Sequence, residues 1–312
     1  MSLILSQGYL NGLSKGYSRK FGNGLAAAQA AGGMLVSLVC DPENSEGFAN
    51  MQYDIDTGVL LLEEITDTGM QRAQNLDSIS KTVDNKEFSR LIMLHRAKLE
   101  RRQAQVYNRQ FTGAGKAVAL TQEKLLRSRL TGGFSGTNQI FYASGSDAKK
   151  GSAKSETFYN AMTKKFSTAN FDSALETLQS QSDTEKNPLG YGTSPENTIL
   201  VVGPKYRKTA QKCVGATRVD GGDDNVNAGI CKLVVWGQLV GDYAHHWFLF
   251  DTSVEKPGVV QNEVAPAFYM QTNPQDGTVM QTNRYMSQIY WRGNIDIINR
   301  QACYGSTGAD AA

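Results

Sequence analysis

Residues 245–253 read HHWFLFDTS. Two adjacent histidines, an aromatic run and an aspartate resemble the makings of a metal or catalytic site. The run WFLFD, however, has strand character, rich in aromatic residues and closed by a polar exit. In a strand, successive side chains point to opposite faces, so His245 and His246 cannot both ligate one metal without distorting the backbone. No HxH or HExxH spacing supplies further ligands. The stretch therefore reads as a structural strand, with one satisfied and one solvated histidine at its entrance. Trp247, Phe248 and Phe250 are expected to provide core-facing and interface bulk, and Asp251–Ser253 the polar exit.

An α/β pattern surrounds this strand over 166–253. NFDSALETLQSQ (170–181) predicts a helix capped by Asn170 or Asp172. TILVVGP (198–204) predicts a short strand, after which Pro204 opens the helix KYRKTAQKC where its missing N–H is not needed. KLVVWGQL is a further strand, and DGGDDNVNAG a solvated loop. From Glu255 onward the chain turns β-rich. PAFYMQTN and MQTNRYMSQIYWRGNIDII flank the turn NPQDG. The closing STGADAA is expected to fray.

Upstream, charge is blocked rather than mixed. Asp41 to Gly69 holds eight acids and no base, and Arg90 to Leu130 ten bases against Glu100 and Glu123. A balance of −8 followed by +8 is concealed by a net charge of +2 over 312 residues. The basic stretch predicts a helix over 96–130, because Tyr107, Phe111, Ala114 and Val118 recur at helical spacing. Gly113 and Gly115 inside it predict a kink or interruption there. Its cations face either nucleic-acid phosphate or the acidic block, within the chain or on a neighbouring subunit. Residues 66–90 are polar, with only Ile79, Val83 and Phe88 as anchors, so a hairpin there must lie on another surface. The four cysteines never form CxxC, which excludes a zinc knuckle or disulfide framework and suggests buried free thiols in a reducing compartment. The segment KGYSRKFGNGLAAAQAAGGMLVSLVC is too short and too interrupted to span a membrane. It predicts an extended, small-residue arm on a soluble cytoplasmic product.

Two decoys need weighing. FTGAGKA (111–117) approaches a phosphate loop, but Ala117 stands where the magnesium-binding hydroxyl belongs and no strand precedes it. GFSGT (133–137) approaches a nucleophile elbow around Ser135, with Thr137 replacing the second glycine.

From Trp247 to Asn294 the residues become specific. Phe248, Leu249, Asp251, Thr252 and Ser253, then Lys256 and Pro257, Glu263 and Pro266, and finally Val279, Met280, Tyr285, Arg292 and Gly293 resemble the signature of the major head subunit of Mu-like bacteriophages. KLLRSRLTGGF and LVVGPKYRKTAQKC extend the likeness more weakly, and residues 1–65 lie outside it. The resemblance implies an α+β chain with the Hong Kong 97-type phage capsid fold. Its expected parts are an N-terminal arm and lead-in (1–65), an extended hairpin loop (66–92), a peripheral domain (93–165 and 254–300) with the spine helix 96–130 and a β-sheet, an axial domain (166–253) and a C-terminal tail (301–312). The arm, over 1–50, is expected to change partner or position during maturation.

The function implied is a major capsid protein and not an enzyme. Copies would self-assemble through hexamers and pentamers into an icosahedral head enclosing double-stranded DNA, built in the host bacterial cytoplasm and retained in the virion. Portal, scaffold and cement or decoration proteins would be further partners, with no cofactor, metal or membrane involved. Lys81, Lys86, Phe88, Asp54, Asp56, Glu63 and Glu64 are the expected intersubunit contacts. Arg96, Arg101, Arg102 and Arg109 are the expected DNA-facing or neighbour-facing cations. An encapsulin-like compartment shell of the same fold is the nearest alternative. A soluble serine hydrolase using Ser135 and a histidine is the alternative from another class.

Overall fold

A computed structural model describes residues 6–30, 34–45, 47–56, 78–101, 103–136, 139–143, 159–182, 186–218 and 223–309. In chain order the elements begin with α1 (Gln7–Gln29), α2 (Val36–Val39), β1 (Cys40–Asn44), β2 (Asn50–Asp56), β3 (Ser78–Asp84), β4 (Lys86–His95), α3 (Arg96–Glu100) and α4 (Asn108–Gly132). There follow β5 (Ala161–Met162), α5 (Thr168–Gln179), β6 (Thr198–Val202), α6 (Arg207–Ala210), β7 (Lys232–Val235) and β8 (Trp247–Asp251). The chain ends through β9 (Gly258–Met270), α7 (Gly277–Thr282), β10 (Arg284–Ile297) and β11 (Cys303–Ser306). They build a four-stranded sheet β1-β9-β10-β4, a five-stranded sheet β5-β11-β8-β6-β7 and the two-stranded ribbon β2-β3.

β8 separates two cores. Trp247 and Leu249 pack with Phe171, Leu175 and Leu178, whereas Phe248 and Phe250 pack with Leu126, Leu130, Phe141 and Trp291. Each of these four β8 side chains is fully buried, so together they contribute on the order of 10 kcal/mol of apolar burial. The lack of apolar–polar alternation follows directly, because neither face meets water. No interface bulk is left over on this strand, contrary to expectation.

The C-terminal segment also departs from its reading as a tail. β11 pairs antiparallel with β8 and parallel with β5, which places Cys303–Ser306 inside the sheet and fully buried. At four residues it is too short to show a periodicity of its own.

The N-terminal segment is not an extended arm. Ser6 accepts a hydrogen bond from the Tyr9 N–H and starts a 23-residue helix. Leu10, Tyr17, Phe21, Gly24 and Ala28 form its buried stripe. Tyr17 stacks on Phe111 at 4.3 Å between ring centroids and donates to the Ala104 carbonyl at 2.9 Å. Farther along, Gly24 and Gly115 let the two helix backbones touch. A Cβ on Gly24 would lie 2.2 Å from the Thr112 oxygen, and one on Gly115 2.2 Å from the Phe21 oxygen. The closest approach of α1 to α4 therefore lies between Phe21–Leu25 and Thr112–Gly115. The glycines of FTGAGKA thus lie in an uninterrupted helix, and the break falls earlier, where a 3-10 turn (Ala104–Tyr107) precedes α4. The helix is not interrupted at either glycine, and Gly115, though not Gly113, lies against the α1 backbone.

Two local readings also shift. The α5 cap is Ser167, whose hydroxyl accepts from the Asn170 N–H at 3.2 Å, not Asn170 or Asp172. Pro204 opens a 3-10 turn that continues into α6 and a π turn at Gln211–Gly215.

Candidate assembly surfaces

The ribbon pairs Asn50↔Asp84 through Asp56↔Ser78, so it starts before residue 66. Residues 86–92, expected in the hairpin, instead belong to β4, which pairs with β10 from Gly293↔Lys86 to Arg284↔His95. Polar contacts fasten the ribbon to the rest of the chain. Lys81 Nζ sits 2.8 Å from Asp296 Oδ1 on β10 and also donates to the Ile297 carbonyl. Arg129 of α4 pairs with the same Asp296 oxygen. Asn294 donates to the Asp84 carbonyl at 2.7 Å. Burial lowers the Lys81 pKa and the Asp296 charge opposes that shift. Lys81 is therefore committed to an ion cluster within its own chain and is not a free intersubunit contact, because removing a mostly buried ammonium from its partner is costly.

Lys86 is exposed at the start of β4, and Phe88 is half-buried, stacked on Trp291 with ring centroids 5.0 Å apart. The backbones of Asp54 and Asp56 pair with Ser80 and Ser78 in the ribbon. Glu63, Glu64, Arg102 and residues 57–77 of the expected hairpin lie outside the described residues.

β4 is an edge strand, and among the described residues its outer side has no strand partner. Between it and α4 runs an open groove of about 830 Å³, lined by Phe88, Ile92, Ala114, Val118 and Trp291 among others. Leu91 and Met93 stand half-exposed beside it. An unpaired edge next to apolar side chains is a surface that natural proteins normally cover.

The cations separate into paired and unpaired sets. Arg96 bonds Glu100 at 2.9 Å one helical turn away. Arg127 lies over the Tyr243 ring at 5.5 Å. Asp41 of the acidic block pairs with Lys256 at 3.1 Å, not with α4. Arg101 and Arg109 are exposed. Lys20, Asn108, Arg109, Thr112, Gly113 and Lys116 surround a shallow depression of about 400 Å³ beside α1. Sequence reasoning missed Lys20 because it treated residues 1–50 as a free arm. The helical spacing of Leu10, Tyr17, Phe21, Gly24 and Ala28 was the signal available.

One acid of the basic stretch has a structural task. Glu123 Oε1 accepts from the Val36 N–H at 2.9 Å and Oε2 from Trp236 Nε1 at 2.5 Å. Burial pushes its carboxyl pKa up, while these hydrogen bonds hold it down in part. This side chain joins α4 to α2 and to the turn after β7.

The catalytic alternative finds no support in placement. Ser135 is exposed just after α4, not on a strand-to-helix turn, and it has no hydrogen bond to a histidine. Lys205 Nζ can only donate, so His245 Nε2 accepts it at 2.9 Å and Nδ1 donates to Tyr206 Oη at 2.7 Å. His246 is not solvated as expected. It packs among Phe134, Tyr243 and Phe248, and burial lowers its pKa. Among the described residues no three His, Cys, Asp or Glu side chains converge as metal ligands, and no helix is long and apolar enough to cross a membrane. All four cysteines are buried free thiols.

The profile of the phage capsid protein family matches residues 81–298. The chain belongs to that family. No curated protein matches. Solved structures share the fold at low identity. The capsid of cyanophage P-SCSP1u superposes with a TM-score of 0.56 at 8% identity, covering 86% of each chain. The capsid of an empty GTA particle gives 0.56 at 11%, covering 88% of this chain and 89% of that one. A virus-like particle from Pyrococcus furiosus gives 0.52 at 15%, covering 93% and 99%. Together with the mixed sheets and long helix, these matches make the chain a capsid protein of Hong Kong 97-type fold.

Within this capsid protein the signature residues are structural. Phe248 and Leu249 face opposite cores. Asp251, fully buried, accepts from the Gly192 N–H at 2.8 Å and from the Ser253 N–H at 2.8 Å. Lys256 fastens α2 and the start of β1, donating to the Ser37 carbonyl at 3.1 Å and to the Cys40 carbonyl at 3.4 Å. The Pro257 carbonyl accepts from the Ile298 and Asn299 N–H groups at 2.8 and 3.0 Å. Arg292 bonds Glu263 at 2.6 Å, at the point where the β9–β10 register shifts. Gly293 follows in the same irregularity, where a Cβ would lie 2.2 Å from the Gln261 oxygen. A bulge with backbones this close admits glycine alone.

Proposed function

We propose that this chain is the major capsid protein of a Mu-like tailed phage or prophage. Copies assemble in the bacterial cytoplasm through hexamers and pentamers into an icosahedral head around double-stranded DNA, with portal and scaffold proteins as partners. The observation that carries the reading is the family match over residues 81–298, which takes in the long helix and both sheets except β1 and β11. Two surface features support it. The ribbon and the groove along β4 leave polar backbone and apolar side chains for a neighbouring copy to cover. The exposed cations of α4 have no carboxylate partner within the described chain, as suits contacts made by one patch of a subunit on a different patch of the next. The phage family match favours a genome-enclosing head over a cargo compartment. Sedimentation and nuclease protection test the proposal. Megadalton particles from phage-producing cells should contain nuclease-resistant double-stranded DNA of genome length. Particles filled with a protein cargo, or a chain that sediments only as a monomer or dimer, would refute it.

A further inference from the structure

We propose that the outer face of the α1–α4 pair, centred on Lys20, Arg109 and Lys116, binds the phosphate backbone of duplex DNA and so forms part of the inner wall of the head. This inference rests on the reading of the chain as the subunit of a DNA-enclosing shell, and it identifies the surface that meets the DNA. The three cations come from two helices that the sequence separates by about ninety positions, and they share one depression of about 400 Å³. All three are exposed, and none has a carboxylate partner among the described residues. The 23 residues of α1 contain no acid. The single acid of α4, Glu123, is buried and spent on Val36 and Trp236. Lys15 and Arg19 add further exposed charge on α1, and Lys124 on α4.

Two arguments favour nucleic acid over a neighbouring subunit as the occupant. Protein interfaces have apolar, aromatic centres and are depleted in lysine. Here the cations surround Asn108, Thr112 and Gly113, small neutral groups suited to phosphate oxygens. The surface that does suit a protein is the apolar groove between α4 and β4, lined by Ala114, Ala117 and Val118 of the same helix, with Gly113 at the border of the two. Duplex DNA carries one charge per roughly 1.7 Å of axis, so a fixed cluster of cations meets phosphate in any register and needs no sequence readout.

The test compares wild-type protein with a neutral triple variant, K20Q/R109Q/K116Q. A second variant, R207Q/K208Q/K232Q, removes the same charge from exposed positions elsewhere. Each is scored for shell formation, and dissociated subunits are titrated with a 30-base-pair duplex by fluorescence anisotropy at several salt concentrations. All three proteins should form shells. The site variant should lose about 2.7 from the slope of log affinity against log salt, at about 0.9 per phosphate contact. Between 50 and 200 mM salt that difference corresponds to about 40-fold in relative affinity. The control variant should keep the wild-type slope. An unchanged slope in the site variant with intact shells would overturn the inference and leave the capsid reading standing. An equal loss in the control variant would reduce the effect to net charge and also overturn it. Failed assembly of the site variant with normal DNA binding would assign the face to an acidic neighbour instead. Wild-type chain that forms no shells would remove the capsid reading and this inference with it.

Discussion

The contact between α1 and α4 can be tested by two substitutions only two residues apart. Gly113 and Gly115 lie in the same uninterrupted helix, and replacing either with alanine recovers up to ~1 kcal/mol of helix propensity. At Gly113 an added Cβ meets nothing within 4 Å, so Gly113→Ala should stabilise by ~0.5–1 kcal/mol. At Gly115 the Cβ would stand 2.2 Å from the Phe21 oxygen and 2.6 Å from the Leu25 nitrogen. Both atoms are backbone, so no side chain can rotate away and α1 itself must move by about 1 Å to restore ordinary contact. Displacing α1 loosens Tyr17 and Phe21, which are buried against α4 and the four-stranded sheet. Overpacking of this kind costs ~1–3 kcal/mol, and the rigid neighbour favours the upper end. After the propensity gain, Gly115→Ala should destabilise by about 1–2 kcal/mol, roughly 1.5–3 kcal/mol below Gly113→Ala. Urea denaturation of dissociated subunits measures the difference through Trp236, Trp247 and Trp291, all of them fully buried. Trypsin cleavage after Arg19 or Lys20 reports release of α1 independently. If Gly115→Ala matched Gly113→Ala in stability and in resistance to trypsin, the close helix crossing would be wrong.

Asp296→Ala should cost about 2–4 kcal/mol in the same denaturation assay, because it strands the mostly buried Lys81 and Arg129 without their shared carboxylate. Hydrogen exchange should rise across Ser78–Asp84 first, and unchanged protection there would show that Asp296 does not anchor the ribbon. His246 gives a pH dependence with a definite sign. Its folded pKa lies below the ordinary value of about 6.5, so its contribution is complete above that pH and is lost as the pH falls through the folded value. His246→Phe should flatten the stability profile between about pH 7 and 5, and an unaltered profile would assign the acid sensitivity to other groups.

The sequence was most informative where one element's own pattern determines its environment. Phe111, Ala114 and Val118 lie on the buried stripe of α4 as their spacing indicates, and Tyr107 is buried in the 3-10 turn just before it. WFLFD marks a strand, although its sequence could not say that both faces would be covered, since that depends on α5 and α4 arriving from distant positions. β11 was hidden because four residues show no period, and only Phe250, Leu249 and their neighbours in β8 make Cys303–Ser306 a strand. The N-terminal helix was misread because its glycines and alanines suggest flexibility in isolation. Among its glycines Gly24 is the one held against α4, and that requirement is visible only with both helices in view. The site residues were harder to assign. Charge blocks could be counted, but pairing depends on tertiary contacts, and Lys81 and Arg96 proved to have partners within their own chain.

Electron microscopy of the purified chain, expressed by itself, tests the capsid reading most directly. The account predicts closed particles of uniform diameter, with rings of five and six subunits resolved on averaging. A field of discrete monomers or dimers, sedimenting without any megadalton species, would contradict it.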